Sequence, residues 1–394
     1  GIIAATEINR LFVMPPEVEE RDERADALPQ QEEFWRPPTR FGSVPVEKEP
    51  LGWDRRRGFR KLFPQVLLPF QVVERVAFGH TDLEPNRLFW GDNLHVMRQL
   101  PSESIDLIYI DPPFFSGRQY NVIFGDQNEL RSFSDIWKDG MPGYLIWLNA
   151  RLYEMKRLLR KTGSIYVHLD WHASHYVKLE MDKIFGHENF VNEVVWHYQA
   201  GTAPKKGFAK KHDIILAYAK TRGTQTFNQI RLMVKDESIY PKRDENGRRY
   251  RMSGNNNATR YYADEGRKAD DVWTWLDRKE NNIIQVFHAL PEHIGYPTQK
   301  PESLMERIAC ASTNEGDIIA DFFCGGGTTP AVAQRLGRRW IACDQSRVAV
   351  AITADRLARG AEQLMLEEVT TPIPDFTIEH WGVYETQRLS DMPP

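Results

Sequence analysis

Residues 316–344 read GDIIADFFCGGGTTPAVAQRLGRRWIACD. GDIIADFF is an apolar run and predicts a strand, CGGGTT a turn, PAVAQRLG a helix and RRWIACD a second strand. Strand, turn, helix and strand in that order predict a βαβ unit, with two parallel strands covered by a helix. The glycines of the turn let the backbone reverse tightly and come close to a ligand beside a helix N-terminus.

The same rhythm extends in both directions. SRVAVAITADRLARG follows as a helix and KPESLMERIACAS precedes as another. Farther upstream, from about residue 87, RLFWGD predicts a strand ending at Asp92, NLHVMRQL a short helix and IDLIYI a buried strand. Apolar residues at Leu145, Leu148, Leu152, Met155 and Leu159, three and four apart, predict a helix over 142–161. Gly163 is expected to end it before the strand SIYVHLD. A helix is expected over 172–185. FVNEVVWHY and KHDIILAYAK are then expected to pair at a sheet edge across the basic loop GTAPKKGFAKK. The fold expectation is α/β, with a mostly parallel sheet and helices on both faces. Residues 222–290 are polar and without a strong period, and predict a small inserted domain.

Composition narrows the class. The chain has 394 residues, 41% hydrophobic and 27% charged, as in ordinary globular proteins. No segment approaches the roughly 20 apolar residues that span a bilayer. No basic region precedes a long apolar run near residue 1, so no signal peptide is expected. The three cysteines, Cys310, Cys324 and Cys343, lack paired spacing. This argues against a structural zinc and predicts a reducing, cytoplasmic setting. His168, His172 and His175 follow no ligand pattern, and a surface cluster at a helix start is expected there, with no metal. Net charge is −4. Lys205, Lys206, Lys210 and Lys211, and Arg248, Arg249 and Arg251, are nevertheless basic clusters able to meet phosphates within an acidic protein.

A second stretch carries chemistry. Asp111-Pro112-Pro113-Phe114-Phe115-Ser116-Gly117 follows IDLIYI. Two prolines cannot continue a sheet interior, so the strand ends there and presents a carboxylate, a stiff corner and two rings. In the glycine unit, Asp344 closes the second strand about twenty residues after the turn, where an acid in a βαβ unit commonly holds ribose hydroxyls. A GxGxxG pattern is absent, which disfavours a dinucleotide. The turn and Asp344 fit an adenosine-bearing cofactor.

Together, DPPF at 111–114 and Phe323-Cys324-Gly325-Gly326-Gly327 resemble the S-adenosylmethionine-dependent amino-methyltransferases of DNA. Their catalytic motif is (D/N/S)PP(Y/F/W) and their cofactor loop is similar to FxGxG. The catalytic motif comes first here, with a variable region between, which resembles the beta-ordered, circularly permuted group. GYPTQKPESLMERI, just before the cofactor strand, agrees. The resemblance covers roughly residues 87–360. Phe115 and the all-glycine turn depart from the commoner residues.

The resemblance implies a seven-stranded Rossmann-like sheet in permuted order. It divides the chain into an N-terminal extension over 1–70, a catalytic half over 71–198 and a target-recognition region over 199–290. A cofactor-binding half follows over 291–365, then a tail over 366–394. It implies transfer of a methyl group to the N6 amino group of a flipped adenine in duplex DNA. N4-cytosine transfer and a non-catalytic DNA-binding subunit are the alternatives, and a nucleotide-dependent oxidoreductase is disfavoured. An exocyclic amino nitrogen is a poor nucleophile, because its lone pair is delocalised into the ring. Asp111 and the Pro112 carbonyl, stiffened by Pro113, would accept its hydrogens, and Phe114 would stack on the base. Asp92 would contact the cofactor adenine, or cap the following helix. Asp344 would hold the ribose. Asp321, Phe323, Cys324, Gly325, Gly327 and Thr328 would surround the methionine part, with Lys300 near its carboxylate. The two basic clusters would contact DNA. A cognate restriction subunit and a homodimer are the further partners implied, without a membrane.

Overall fold

A computed structural model describes residues 69–79, 82–113, 140–198, 204–232, 237–253, 259–274, 292–296, 299–367 and 372–380. Fifteen strands occur among them: β1 (Gln71–Val76), β2 (Asn86–Trp90), β3 (Ile105–Ile110), β4 (Leu159–Leu169), β5 (Phe190–His197), β6 (His212–Ala219), β7 (Arg231–Leu232), β8 (Lys242–Arg243), β9 (Arg249–Ser253), β10 (Thr259–Tyr262), β11 (Arg267–Lys268), β12 (Val272–Thr274), β13 (Ile318–Asp321), β14 (Arg339–Asp344) and β15 (Phe376–His380). The helices are α1 (Asn93–Gln99), α2 (Gly140–Leu158), α3 (Ser174–Phe185), α4 (Glu302–Ser312), α5 (Thr328–Arg335) and α6 (Arg347–Leu366).

Ten strands form one sheet in the order β1-β15-β2-β14-β13-β3-β4-β6-β5-β12. The expected seven strands form its uninterrupted middle, from β2 to β5. β1 and β15 extend one edge and β12 the other. The late strands β13 and β14 lie between the early strands β2 and β3, so both halves of the chain build a single sheet. Pairing is parallel from β15 to β4, and β6 runs antiparallel to both β4 and β5.

Sequence periodicity accounts for the layering. Central strands have both faces covered, so they are apolar throughout, as in the fully buried β3. Ile108 and Ile110 face a core shared with Leu94 and Met97 of α1, Leu148 and Leu152 of α2, and Val177 and Met181 of α3. Leu107 and Tyr109 face the opposite core, with Leu304 and Ile308 of α4, Val332 of α5, and Val350 and Leu357 of α6. Among the described residues three helices therefore pack on each face, as two-residue alternation along a strand requires.

Several local expectations are corrected. Helix α2 ends at Leu158, and Gly163 lies within β4. Ile105 pairs with Leu159 while Leu107 pairs with Ser164, so the intervening residues bulge from the ladder. A Cβ at Gly163 would sit 2.9 Å from the Asp106 carbonyl oxygen. The glycine permits that close approach rather than ending a helix. Strand β6 is not at the edge, because β5 and then β12 lie outside it. β12 falls within the polar 222–290 segment, yet it pairs with β5. β15 falls within the expected tail, yet it is inserted between β1 and β2 with Phe376 fully buried. Among its other described residues, the polar segment holds a three-stranded sheet, β10-β9-β8, and the pair β11-β7. Among the described residues no helix is long and apolar enough to cross a membrane.

Candidate active site

Four adjacent strands, β2, β14, β13 and β3, each lead to an aspartate at the C-terminal end. These are Asp92, Asp344, Asp321 and Asp111. The chain departs from β13 to β14 on one side, while β3 lies on the other. In open α/β sheets, ligands bind outside the strand ends at such a switch point. Ala320 stands opposite Ile108, which brings Asp111 beside the turn that follows Asp321.

The glycine turn is held from three sides. Gly325 and Gly327 adopt φ of 49° and 73°, in the left-handed region that L side chains rarely occupy. A Cβ at Gly327 would meet the Thr353 hydroxyl at 2.6 Å. Asp344 Oδ2 accepts from the Gly325 N–H at 2.9 Å, and its Oδ1 accepts from the Ser346 N–H at 2.9 Å. Thr353 Oγ1 donates to the Gly325 carbonyl at 2.9 Å, and Arg356 Nη1 donates to the Gly326 carbonyl at 3.0 Å. Asp321 accepts from the Phe323 N–H at 2.9 Å and from the Thr329 hydroxyl at 2.5 Å. Burial raises the Asp344 carboxyl, and it pushes Asp321 up to about 7. Cys324 is buried and burial raises its thiol well above the usual value, so its side chain serves packing. Phe323 packs against Trp147, with ring centroids 5.6 Å apart.

Asp92 caps α1 by accepting from the Leu94 N–H at 2.7 Å. Its other oxygen accepts from Arg151 Nη2 at 2.8 Å. Arg151 also donates to Asn93 Oδ1 at 2.6 Å, and Asn93 in turn donates to the Phe322 carbonyl at 2.8 Å. This chain of bonds ties the first aspartate to the glycine turn. Asp111 forms an ion pair with Lys300, with 17% and 12% of the two side chains exposed. The Lys300 carbonyl accepts from the Thr328 hydroxyl at 3.2 Å. Lys300 thus joins the two motifs. Its ammonium lies on the Asp111 carboxylate, whereas the family resemblance directs it to a cofactor carboxylate.

Below Asp111 runs a buried polar chain that sequence reasoning did not find. The Tyr109 hydroxyl lies 2.9 Å from His168 Nδ1, and His168 Nε2 lies 3.1 Å from Asp213 Oδ2. The Tyr198 hydroxyl donates to Asp213 Oδ1 at 2.9 Å. His168 is fully buried in β4, which corrects the surface placement expected for it, whereas His172 is half-buried and His175 exposed. His168 points inward because it shares the face of Tyr166 two residues earlier. Burial alone would raise Asp213, but the bonds from His168 and Tyr198 and the charge of Lys300 bring it below the usual carboxylate range. His172 lies 2.5 Å from Asp170. Among the described residues no group of three or more His, Cys, Asp and Glu could hold a metal.

The basic clusters differ in their surroundings. Lys205, Lys206 and Lys210 are exposed and Lys211 is half-buried. The Lys210 ammonium sits 3.1 Å from the centroid of Trp171. Arg248 pairs with Asp264 and Glu265, and Arg249 pairs with Glu237. Arg251 lies 5.4 Å and 6.0 Å from the rings of Tyr240 and Tyr261. Acids in the segments beside the small sheets therefore partly neutralise two of these arginines. Pro112 and Pro113 close β3, while Phe114 lies outside the described residues.

Arg151, Thr353 and Arg356 were also missed. A signal existed for the arginines: each stands within the three-and-four spacing of a buried helix face, where a charge needs a built partner.

A family model described as DNA methylase matches residues 105–355. The DNA adenine methyltransferase YhdJ of Escherichia coli (strain K12) is 29% identical over 269 residues, covering 68% of this chain and 80% of that protein. The type II methyltransferase M.HpaI of Haemophilus parainfluenzae is 28% identical over 271 residues, covering 69% and 74%. Among solved structures, the cytosine-N4-specific PvuII DNA methyltransferase is 15% identical with a TM-score of 0.47, over 77% of this chain and 98% of that one.

Proposed function

The chain belongs to the N6/N4 family of DNA methylases, and from that premise we propose that it methylates the N6 amino group of an adenine flipped out of duplex DNA. It is an S-adenosylmethionine-dependent methyltransferase. The observation that carries the proposal is Asp111, which follows β3 and precedes two prolines, paired with Lys300 and beside the glycine turn.

The donor set fits the cofactor. Acids at adjacent strand ends, with Asp344 beside the glycine turn, suit a ligand that presents hydroxyls rather than a diphosphate. Asp344 would hold the ribose hydroxyls and Asp92 would face the adenine. Asp321, Phe323, Cys324, Gly325, Gly327 and Thr328 would line the methionine part. When bound, S-adenosylmethionine supplies an electrophilic methyl group on a sulfonium sulfur. Lys300 occupies Asp111 Oδ2 and so orients the second oxygen. That oxygen and the Pro112 carbonyl would accept the two amino hydrogens and localise the nitrogen lone pair. Phe114 would supply a ring face to the base. An acid rather than serine at the head of the motif favours adenine, as does the named activity of the Escherichia coli relative.

The polar segment within 199–290 would read the target, with Lys205, Lys206, Lys210, Lys211 and Arg251 nearest in character to phosphate contacts. Arg248 and Arg249 would have to leave their acids to join them. A cytoplasmic setting, a cognate restriction subunit and a homodimer belong to the same reading. The test is methyl transfer from labelled S-adenosylmethionine to DNA by Asp111→Ala. Transfer should vanish while cofactor affinity stays within about threefold, since Asp111 acts on the amino group. Wild-type turnover by this variant would refute the assignment.

A further inference from the structure

The loop between β5 and β6 carries the most exposed large hydrophobic side chain among the described residues. Phe208 is 96% exposed. An isolated exposed phenylalanine is unremarkable, so its surroundings must carry the argument.

The first is position. β6 runs antiparallel to β4, and β4 parallel to β3. The start of β6 and the end of β5, where His197 pairs with His212, therefore lie at the sheet edge that presents Asp111. In the order β3-β4-β6, that start is two strand spacings, about 10 Å, from the strand of Asp111.

The second is anchorage. The Lys211 carbonyl accepts from the Tyr198 N–H at 2.9 Å, and the Lys210 ammonium lies on the ring of Trp171. The Trp171 ring is itself 3.6 Å from that of His172. The Tyr198 hydroxyl holds Asp213, which lies in the field of Lys300. Phe208 thus projects from a loop whose base is held by Tyr198 and Trp171, at the strand ends that also present Asp111.

The third is charge. Lys205 and Lys206 precede the ring, and Lys210 and Lys211 follow it. An apolar protein partner would not favour a ring preceded by two exposed ammonium groups, Lys205 and Lys206. A polyanion with stacked rings satisfies both features. Removing a base from a duplex leaves a gap in the stack, and an apolar wedge with cationic neighbours on the phosphates fits such a gap.

We propose that Phe208 is the wedge that enters the DNA stack as the target base leaves it, with the exposed Lys205 and Lys206 on the adjoining phosphates. The proposal rests on the DNA methyltransferase reading above. The test uses the full chain, with Phe208→Ala and Phe208→Trp. Sequencing of DNA modified by the wild type first identifies the site. Turnover is then measured on two duplex oligonucleotides containing it, one fully paired and one with an abasic position opposite the target. Phe208→Ala should lose about tenfold or more on the paired duplex and be within about threefold of wild type on the abasic one, where the base is already loosened. Phe208→Trp should retain most activity on both, and the salt dependence of binding should be unchanged, because the lysines remain. Wild-type turnover by Phe208→Ala on paired DNA, or equal loss on both duplexes, overturns the wedge while leaving the methyltransferase reading intact. A wild-type chain that binds S-adenosylmethionine yet modifies no DNA overturns both.

Discussion

Asp344→Ala is the most informative perturbation of the cofactor half. The carboxylate accepts from two backbone N–H groups, Gly325 at 2.9 Å and Ser346 at 2.9 Å. These bonds join the end of β14 to the glycine turn and to the start of α6. Alanine removes both acceptors, together with those proposed for the ribose hydroxyls. A net hydrogen bond to a charged group is worth about 1.5–3 kcal/mol. Part of that loss falls on the turn itself and lowers stability with or without ligand. The part belonging to the ribose appears only in binding. At about 1–3 kcal/mol it weakens S-adenosylmethionine by roughly 5- to 150-fold. Asp344→Asn keeps one acceptor but turns an amide donor toward a backbone donor, so it should lie between wild type and alanine. Calorimetric titration with S-adenosylmethionine measures both variants, and urea unfolding without ligand separates the structural share. Unchanged affinity in Asp344→Ala, with the unliganded fold intact, would refute the ribose assignment.

Asp321→Asn tests the buried carboxyl beneath the turn. Its folded pKa of about 7 lies above the ordinary value of 3.8, so the unfolded chain loses this proton first. Its contribution is therefore present below about pH 4 and is lost as pH rises toward 7. An uncharged Asn lacks that slope, and in urea unfolding the variant should gain on wild type by about 1.4 kcal/mol per pH unit within the window. Parallel pH profiles would show that Asp321 ionises normally. Arg151→Met strands Asp92 and Asn93, and should cost about 2–4 kcal/mol in urea unfolding, less than a fully buried pair because Asp92 stays one-third exposed. Adding Asp92→Asn should recover part of that loss, and strict additivity would deny the coupling.

The central unit at 316–344 was legible because its signals are local: two apolar runs, a glycine turn and a helix within one stretch. Asp111 was legible for the same reason, since two prolines mark where β3 must stop. β15 and β12 were not, because they lie in polar or terminal segments and owe their strand form to pairing with β2 and β5. Gly163 departs from expectation because a helix-ending glycine and a glycine that admits a neighbouring carbonyl look alike in sequence. The burial of His168 is not legible locally, because its partners, Tyr109 and Asp213, come from strands 59 and 45 residues away. The charges of Arg248 and Arg249 were visible, but their pairing with Asp264 and Glu237 arises only when the small sheets form. Local backbone chemistry was readable, whereas partnerships across the sheet needed the fold.

The chemistry claimed for Asp111 is tested most directly by mass spectrometry of nucleosides from duplex DNA incubated with the chain and S-adenosylmethionine. The account predicts N6-methyladenine with the wild type and none with Asp111→Ala. N4-methylcytosine would contradict the adenine assignment, and N6-methyladenine at wild-type levels from Asp111→Ala would contradict the role given to that carboxylate.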